Sequence, residues 1–184
     1  MQVSLIEELQ LMFESEDNPG VMVALYPDYD VAKKIYIKSG EDLDELHVTL
    51  VYFGKLSKVG MTNLHKISHI CEKITQKYSA LHGSIGGIGR FNASESSDGR
   101  DVFYASIDCP DLVEVRQSLI HLFDKNDIEY KKQHGFTPHC TLKYISPLDP
   151  LPQKRLPQSL DTAFEYLTLT TGKNRVPFAF RGVR

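Results

Sequence analysis

This sequence predicts an α+β fold of two pseudo-symmetric lobes, each with an antiparallel sheet, around a central cleft. Three observations carry the prediction. Apolar patterns run strand, helix, strand, helix, strand in the first half, then strand, helix, strand and a closing hairpin. Two segments repeat each other, His47-Val48-Thr49-Leu50-Val51-Tyr52 and His139-Cys140-Thr141-Leu142-Lys143-Tyr144. They share His, Thr, Leu and Tyr at the same places and lie 92 residues apart, half the chain. The composition, 41% hydrophobic and 24% charged over 184 residues, is that of one globular domain able to form a core without disulfides or metals.

The elements follow in order. Residues 3–14 place Leu5, Leu9 and Met12 on one stripe of an amphipathic helix, which Asp17-Asn18-Pro19-Gly20 breaks. This divides the chain into an N-terminal helical arm, 1–19, and a domain, 20–184; the arm packs on the domain or mediates self-association. Residues 21–25 form a short apolar strand. Asp28 or Asp30 caps a short helix through Ile37, and Ser39-Gly40-Glu41-Asp42 is a loop. Residues 46–53 are the first motif strand, ended by Gly54. Leu64, Ile67, Cys71, Ile74, Tyr78 and Leu81 follow helical spacing. Residues 83–91 are a glycine-rich strand in which Gly86-Gly87 marks a bulge or a close backbone approach. A polar loop over 92–100 leads to a strand at 102–107. Pro110 opens a helix carrying Leu112, Val115, Leu119, Leu122 and Phe123. The loop 133–138 delivers His139 to the second motif strand. Four prolines exclude a regular element from 146–157. Residues 164–171 and 176–180 close the chain as a hairpin around Gly172-Lys173-Asn174.

Charge and cysteine usage narrow the function. A net charge of −3 argues against binding long duplex nucleic acid, which needs a basic stripe, and leaves a small nucleotide or a short RNA end. Cys71, Cys109 and Cys140 are odd in number and form no C-x-x-C, as expected of a reducing, cytoplasmic compartment. No apolar run has the length of a membrane span, and the acidic segment 1–17 lacks the basic leader of a signal peptide.

The repeat carries the chemistry. Side chains alternate along a strand, so His47 and Thr49 share one face, as do His139, Thr141 and Lys143. Two such strands side by side make a pocket with two proton-transfer groups, two neutral donors and a cation. Facing a cyclic phosphodiester, one histidine takes a proton from the attacking water and the other gives one to the leaving ribose oxygen. Thr49 and Thr141 donate to the non-bridging oxygens, where charge builds. Such a site needs no cofactor and no metal. The motifs supply only two histidines, short of a zinc site, and His65 and His69, at i, i+4 on a helix, read as surface residues. His134 stands out among the remaining histidines because it lies in the loop entering the second motif. No G-x-S-x-G elbow or P-loop ending occurs. Lys143 and Arg90 are candidate phosphate contacts, and Tyr26, Phe91 and Phe136 are candidate stacking partners for a base. A non-catalytic nucleotide-binding module that keeps the cleft without turnover is the competing reading.

The paired His-x-Thr-Leu segments resemble the 2H phosphoesterase superfamily, which includes the bacterial RNA 2′,3′-cyclic phosphodiesterases, also called 2′-5′ RNA ligases. The likeness runs from about Gly20 to Phe180. It includes Met22-Val23-Ala24-Leu25-Tyr26-Pro27, the two motifs, Gly89-Arg90-Phe91 and His134-Gly135-Phe136-Thr137-Pro138. It implies a bilobal α+β fold, metal-free phosphodiester chemistry on 2′,3′-cyclic or 2′-5′ bonds, and catalytic roles for His47, Thr49, His139 and Thr141. The implied substrates are a nucleotide, an RNA end or an oligonucleotide messenger; phage members resemble enzymes that destroy cyclic-nucleotide alarm signals, which adds an anti-defence role. Many members resemble H-x-T-L-x-R in the second motif, with arginine where Tyr144 stands here. Lys143 lacks the bidentate fork of arginine, and Arg90 is the candidate to take over the phosphate contact.

Overall fold

A computed structural model describes residues 5–13, 18–132, 135–156 and 158–183. Eight strands, β1 (Gly20–Leu25), β2 (Val48–Lys55), β3 (Leu81–Phe91), β4 (Asp101–Asp108), β5 (His139–Ile145), β6 (Leu160–Phe164), β7 (Tyr166–Thr171) and β8 (Asn174–Ala179), pair in the order β6-β3-β4-β5-β2-β1-β7-β8. All pairings between these strands are antiparallel. Each lobe contributes four strands, and the lobes meet through one bridged pair, Val48 opposite Cys140. The two motif strands are therefore the innermost strands of their lobes, and their contact joins the lobes into one sheet.

Four helices accompany the sheet: α1 (Leu5–Phe13), α2 (Tyr29–Ile35), α3 (Leu56–Lys77) and α4 (Leu112–Lys125). The α1 helix packs against α3 and β8 with Leu9 fully buried. Asp28 caps α2 by accepting from the Val31 N–H at 2.9 Å, satisfying a donor that the first helical turn leaves free. In α3, Leu64, Ile67, Cys71 and Ile74 form the buried stripe that their spacing predicts, and this helix covers β1, β2, β7 and β8. Leu112, Val115, Leu119 and Phe123 do the same for α4, which lies beside α3 and on β2.

Three boundaries differ from the sequence expectation by more than two residues. Leu81 opens β3 rather than closing α3, because the helix stops at Lys77 and Tyr78 turns to an extended backbone. The helix also begins earlier, at Leu56, with a break at Gly60 (φ 72°). The expected strand 164–171 is two strands that part at Glu165: β6 pairs with β3 in one lobe, and β7 pairs with β1 in the other. Gln158 to Ala163 lacks an apolar alternation, so nothing in the sequence marks the start of β6. The glycine-rich strand bulges where expected, with the register shifting between Gly86 and Ile88 and Gly87 at φ +73°.

Candidate active site

The bridge between Val48 and Cys140 fixes the geometry. In an antiparallel pair, neighbours on either side of a matched position oppose each other crosswise. His47 therefore stands across from Thr141, and Thr49 across from His139. Each histidine faces the other motif's hydroxyl, and the four side chains form one cluster about a local two-fold axis.

Both motif strands bulge at the same place. Ala24 pairs with Thr49 and Val23 with Val51, leaving Leu50 as an extra residue. Tyr104 pairs with Thr141 and Phe103 with Lys143, leaving Leu142 as the extra residue. The shared leucine of the repeat is thus a bulge in both strands, and period-two alternation restarts one residue later. Leu50 and Leu142 are buried in the core. The carbonyl of Leu142 accepts from the Glu41 N–H at 2.9 Å, which ties the loop 39–41 to the bulge.

The bulge corrects the expected orientation of Lys143. It pairs with Phe103, a core residue, and so sits on the face away from the histidines, where its ammonium donates to Ser39 Oγ at 2.8 Å. Tyr144 takes the cleft face instead, paired with Val102. Arg90 also pairs with Phe103 and lies on that reverse face. Its guanidinium binds the carboxylate of Asp101, which is 2% exposed and also accepts from the Ala93 N–H at 2.6 Å. Arg90 is thus a structural partner of a buried acid. Arg90→Ala is expected to cost about 1–3 kcal/mol of stability in urea denaturation, because it leaves a buried carboxylate without one of its hydrogen-bonding partners, and to leave KM for substrate unchanged.

Tyr26 and Phe91 do reach the cluster. The Tyr26 ring lies 5.7 Å from that of His47, and its hydroxyl is 3.2 Å from Thr170 Oγ1. Phe91 meets the His139 ring edge-on at 4.9 Å. Phe136 does not line the site: it packs on the core with the Arg116 guanidinium 4.4 Å over its ring. His134 lies outside the described residues.

The sequence reading missed two cations beside the cleft. Arg175, on β8, stands 4.2 Å over Tyr26 and pairs with Glu45 at 3.2 Å. Its Nε is buried with no hydrogen-bond partner among the described residues. Arg100, at the end of the polar loop, stands 4.6 Å over the Tyr144 ring. Neither sits within a motif, and only the sheet order brings β8 and the 92–100 loop to the two histidines.

Each imidazole is held alike. His47 Nδ1 is 2.6 Å from the Glu45 carbonyl, and His139 Nδ1 is 2.7 Å from that of Thr137. A carbonyl oxygen only accepts, so Nδ1 carries the proton and Nε2 is left to exchange protons in the cleft. Burial pushes both imidazoles below the usual histidine range; their carbonyl bonds oppose the shift, and for His47 the neighbouring Arg175 and His139 add to it. Among the described residues Thr49 Oγ1 has only a weak sulfur acceptor, Met22 Sδ at 3.7 Å, so its hydroxyl is available to a stronger one. A cavity of about 470 Å³ opens beside His139 and Thr141, walled by Phe91 and Tyr144, floored by Val102, and edged by Asn92 and Thr137. All three cysteines are buried, and burial raises their thiols, so none is a nucleophile at neutral pH. Among the described residues no three histidine, cysteine or acidic side chains gather as a metal site, and no helix is long and apolar enough to cross a membrane.

Comparison with known proteins places the chain in a family and a fold. The sequence profile of the 2′-5′ RNA ligase superfamily matches residues 35–176. Among solved structures, TT0787 of Thermus thermophilus superposes with a TM-score of 0.67 at 16% identity, over 90% of this chain and 100% of its own. LigT of E. coli complexed with 3′-AMP gives 0.56 at 16% identity, over 87% and 98% of the two chains. The same enzyme complexed with NADP+ gives 0.60 at 15%, over 90% and 99%. These likenesses establish a shared fold. No curated protein sequence matches the chain.

Proposed function

The chain belongs to the 2′-5′ RNA ligase superfamily, and from that premise we propose that it is a metal-independent phosphodiesterase acting on 2′,3′-cyclic or 2′-5′ phosphodiester bonds of a nucleotide or RNA end. The observation that carries the reading is the crosswise cluster of His47, Thr141, Thr49 and His139 about the Val48–Cys140 bridge. A phosphate seated there receives a hydroxyl from each lobe on its non-bridging oxygens, where charge grows in the transition state. One imidazole, neutral, takes a proton on Nε2 from water as the water oxygen bonds to phosphorus. The other, protonated, delivers its Nε2 proton to the ribose oxygen as the P–O bond breaks. One water is consumed, a phosphomonoester and a free hydroxyl are formed, and the two histidines have exchanged protonation states, which solvent resets. The reverse path, with roles swapped, closes a ring or joins two ends.

The cavity beside His139 supports a nucleoside on that side of the phosphate, since it pairs an aromatic wall with neutral polar groups. E. coli LigT is known in complexes with 3′-AMP and NADP+, which fits a nucleotide ligand for this fold. Arg175, over the Tyr26 ring, and Arg100, over the Tyr144 ring, bring positive charge to the two sides of the cluster.

A panel of 2′,3′-cyclic nucleotides, 2′-5′ oligoadenylates and cyclic dinucleotides, assayed with EDTA present, tests the proposal. Turnover of at least one class, insensitive to EDTA, is expected. Tight binding with no turnover of any member would establish the non-catalytic binding module in its place.

A further inference from the structure

The two motif histidines are anchored alike through Nδ1 but are packed differently. Phe91 and Tyr104 stack with their centroids 4.1 Å apart and their planes at 21°. His139 meets both rings at steep angles, 83° to Phe91 and, at 5.4 Å, 64° to Tyr104. His47 has Tyr26, tilted at 42°, as its ring neighbour, and that ring carries the Arg175 guanidinium. One histidine thus rests on an apolar wall, the other beside a cation.

The wall exists because of a bare stretch of backbone. Gly89 pairs directly with Tyr104 across β3 and β4, so any side chain at 89 would rise on the same face as the phenol. A Cβ there would collide with the ring carbon and hydroxyl of Tyr104. Without it, the ring lies flat across β3, against Phe91 two residues along the same face. Tyr104 in turn pairs with Thr141, which sets the ring next to the motif.

We propose that Tyr104, seated on Gly89, is a positioning residue that clamps the His139 imidazole with Nε2 toward the cleft and keeps water from one side of it, a service that no stacked pair of rings performs for His47 among the described residues. The inference rests on the acid–base reading of His139. It gives the two histidines of a two-proton site different surroundings, a ring wall for His139 and a cation-bearing ring for His47. Burial is the leading cause of the depressed His139 titration, and the rings of Phe91 and Tyr104 both pack against the imidazole. The groups facing His139 are His47 from the residue before β2, Tyr104 from β4, Phe91 from β3, the Thr137 carbonyl from the preceding loop, and Thr141 and Tyr144 from its own strand.

The test is an NMR pH titration of the histidine ring resonances in the wild-type chain and in Tyr104→Leu, Tyr104→Phe and Phe91→Leu. The His139 midpoint is expected to rise by about half a unit or more in Tyr104→Leu, and by less in Phe91→Leu, which removes the outer ring. It should stay at the wild-type value in Tyr104→Phe, which keeps the ring, and His47 should not rise in any of the three, since a His139 that keeps its proton longer holds the neighbouring imidazole lower. If Tyr104→Leu does not fold, the contrast between Phe91→Leu and Tyr104→Phe decides the matter alone. An unchanged His139 midpoint in the folded leucine variants, or an equal shift in Tyr104→Phe, overturns the proposal. The titration needs no turnover. A shifted His139 in a protein that hydrolyses no phosphodiester would refute the function and leave the clamp standing; an active enzyme with an unmoved His139 would do the opposite.

Discussion

Replacing His47 or His139 with alanine is expected to lower turnover of the phosphodiester substrate by about 10²-fold or more in each case. The expectation comes from the symmetry of the cluster. Each imidazole has its Nδ1 committed to a carbonyl and only Nε2 free, so no second atom of the same ring can substitute. Among the described residues no other histidine is placed to take over: His69, for instance, is exposed on α3 and paired with Glu72. A loss of 10² corresponds to about 2.7 kcal/mol of transition-state stabilisation, within the usual range for one general acid or base. The double variant should lose far less than the product of the two single losses, because removing either partner already disables the pair. Steady-state kinetics on the three variants, with circular dichroism to confirm folding, give the answer. Full activity in either single variant would rule out the mechanism.

Replacing Thr49 or Thr141 with valine is expected to lower kcat by about 10-fold to 10³-fold, with a smaller change in KM. Valine keeps the β-branched shape and removes only the donor, so the strand and its bulge should survive. The two hydroxyls stand in equivalent places, but Thr141 also has the Tyr144 phenol within reach, whereas among the described residues the Thr49 donor has only the Met22 sulfur. Equal losses in kcat and kcat/KM would show that the hydroxyls act in the transition state; a rise in KM alone would assign them to ground-state binding.

How much of this is legible in the sequence depends on what each feature rests upon. The repeat at His47 and His139 names the cluster because both strands obey period two through the first three residues of the motif, and that period is a local property of the chain. It fails one residue later. Leu50 and Leu142 read as ordinary strand positions, and only the pairing with β1 and β4 reveals them as bulges. The consequence falls on Lys143, expected in the pocket and found on the reverse face, while Tyr144 takes its place. Arg90 is misread for a similar reason: its partner Asp101 lies on the neighbouring strand, and the sequence carries no sign of which side of β3 faces the core. Arg175 and Arg100 are invisible because sheet order, a long-range property, brings them to the site. The helices read well where apolar spacing is regular, as at Leu64, Ile67, Cys71 and Ile74, and poorly at Leu81, where a strand residue happens to continue the pattern.

The central claim is that two histidines share the proton traffic, and the pH dependence of kcat/KM tests it most directly. Below the lower of the two titrations the base is protonated and the rate falls; above the higher one the acid has lost its proton and the rate falls again. Both imidazoles are held below the usual range by burial, so the free enzyme should show a bell with its maximum on the acid side of about 6.5, the ordinary histidine value. The profile of kcat should lie at higher pH, since the bound phosphate anion favours the imidazolium. A rate that climbs to a plateau and stays there through alkaline pH would contradict the account, because it leaves no group that must begin the reaction protonated.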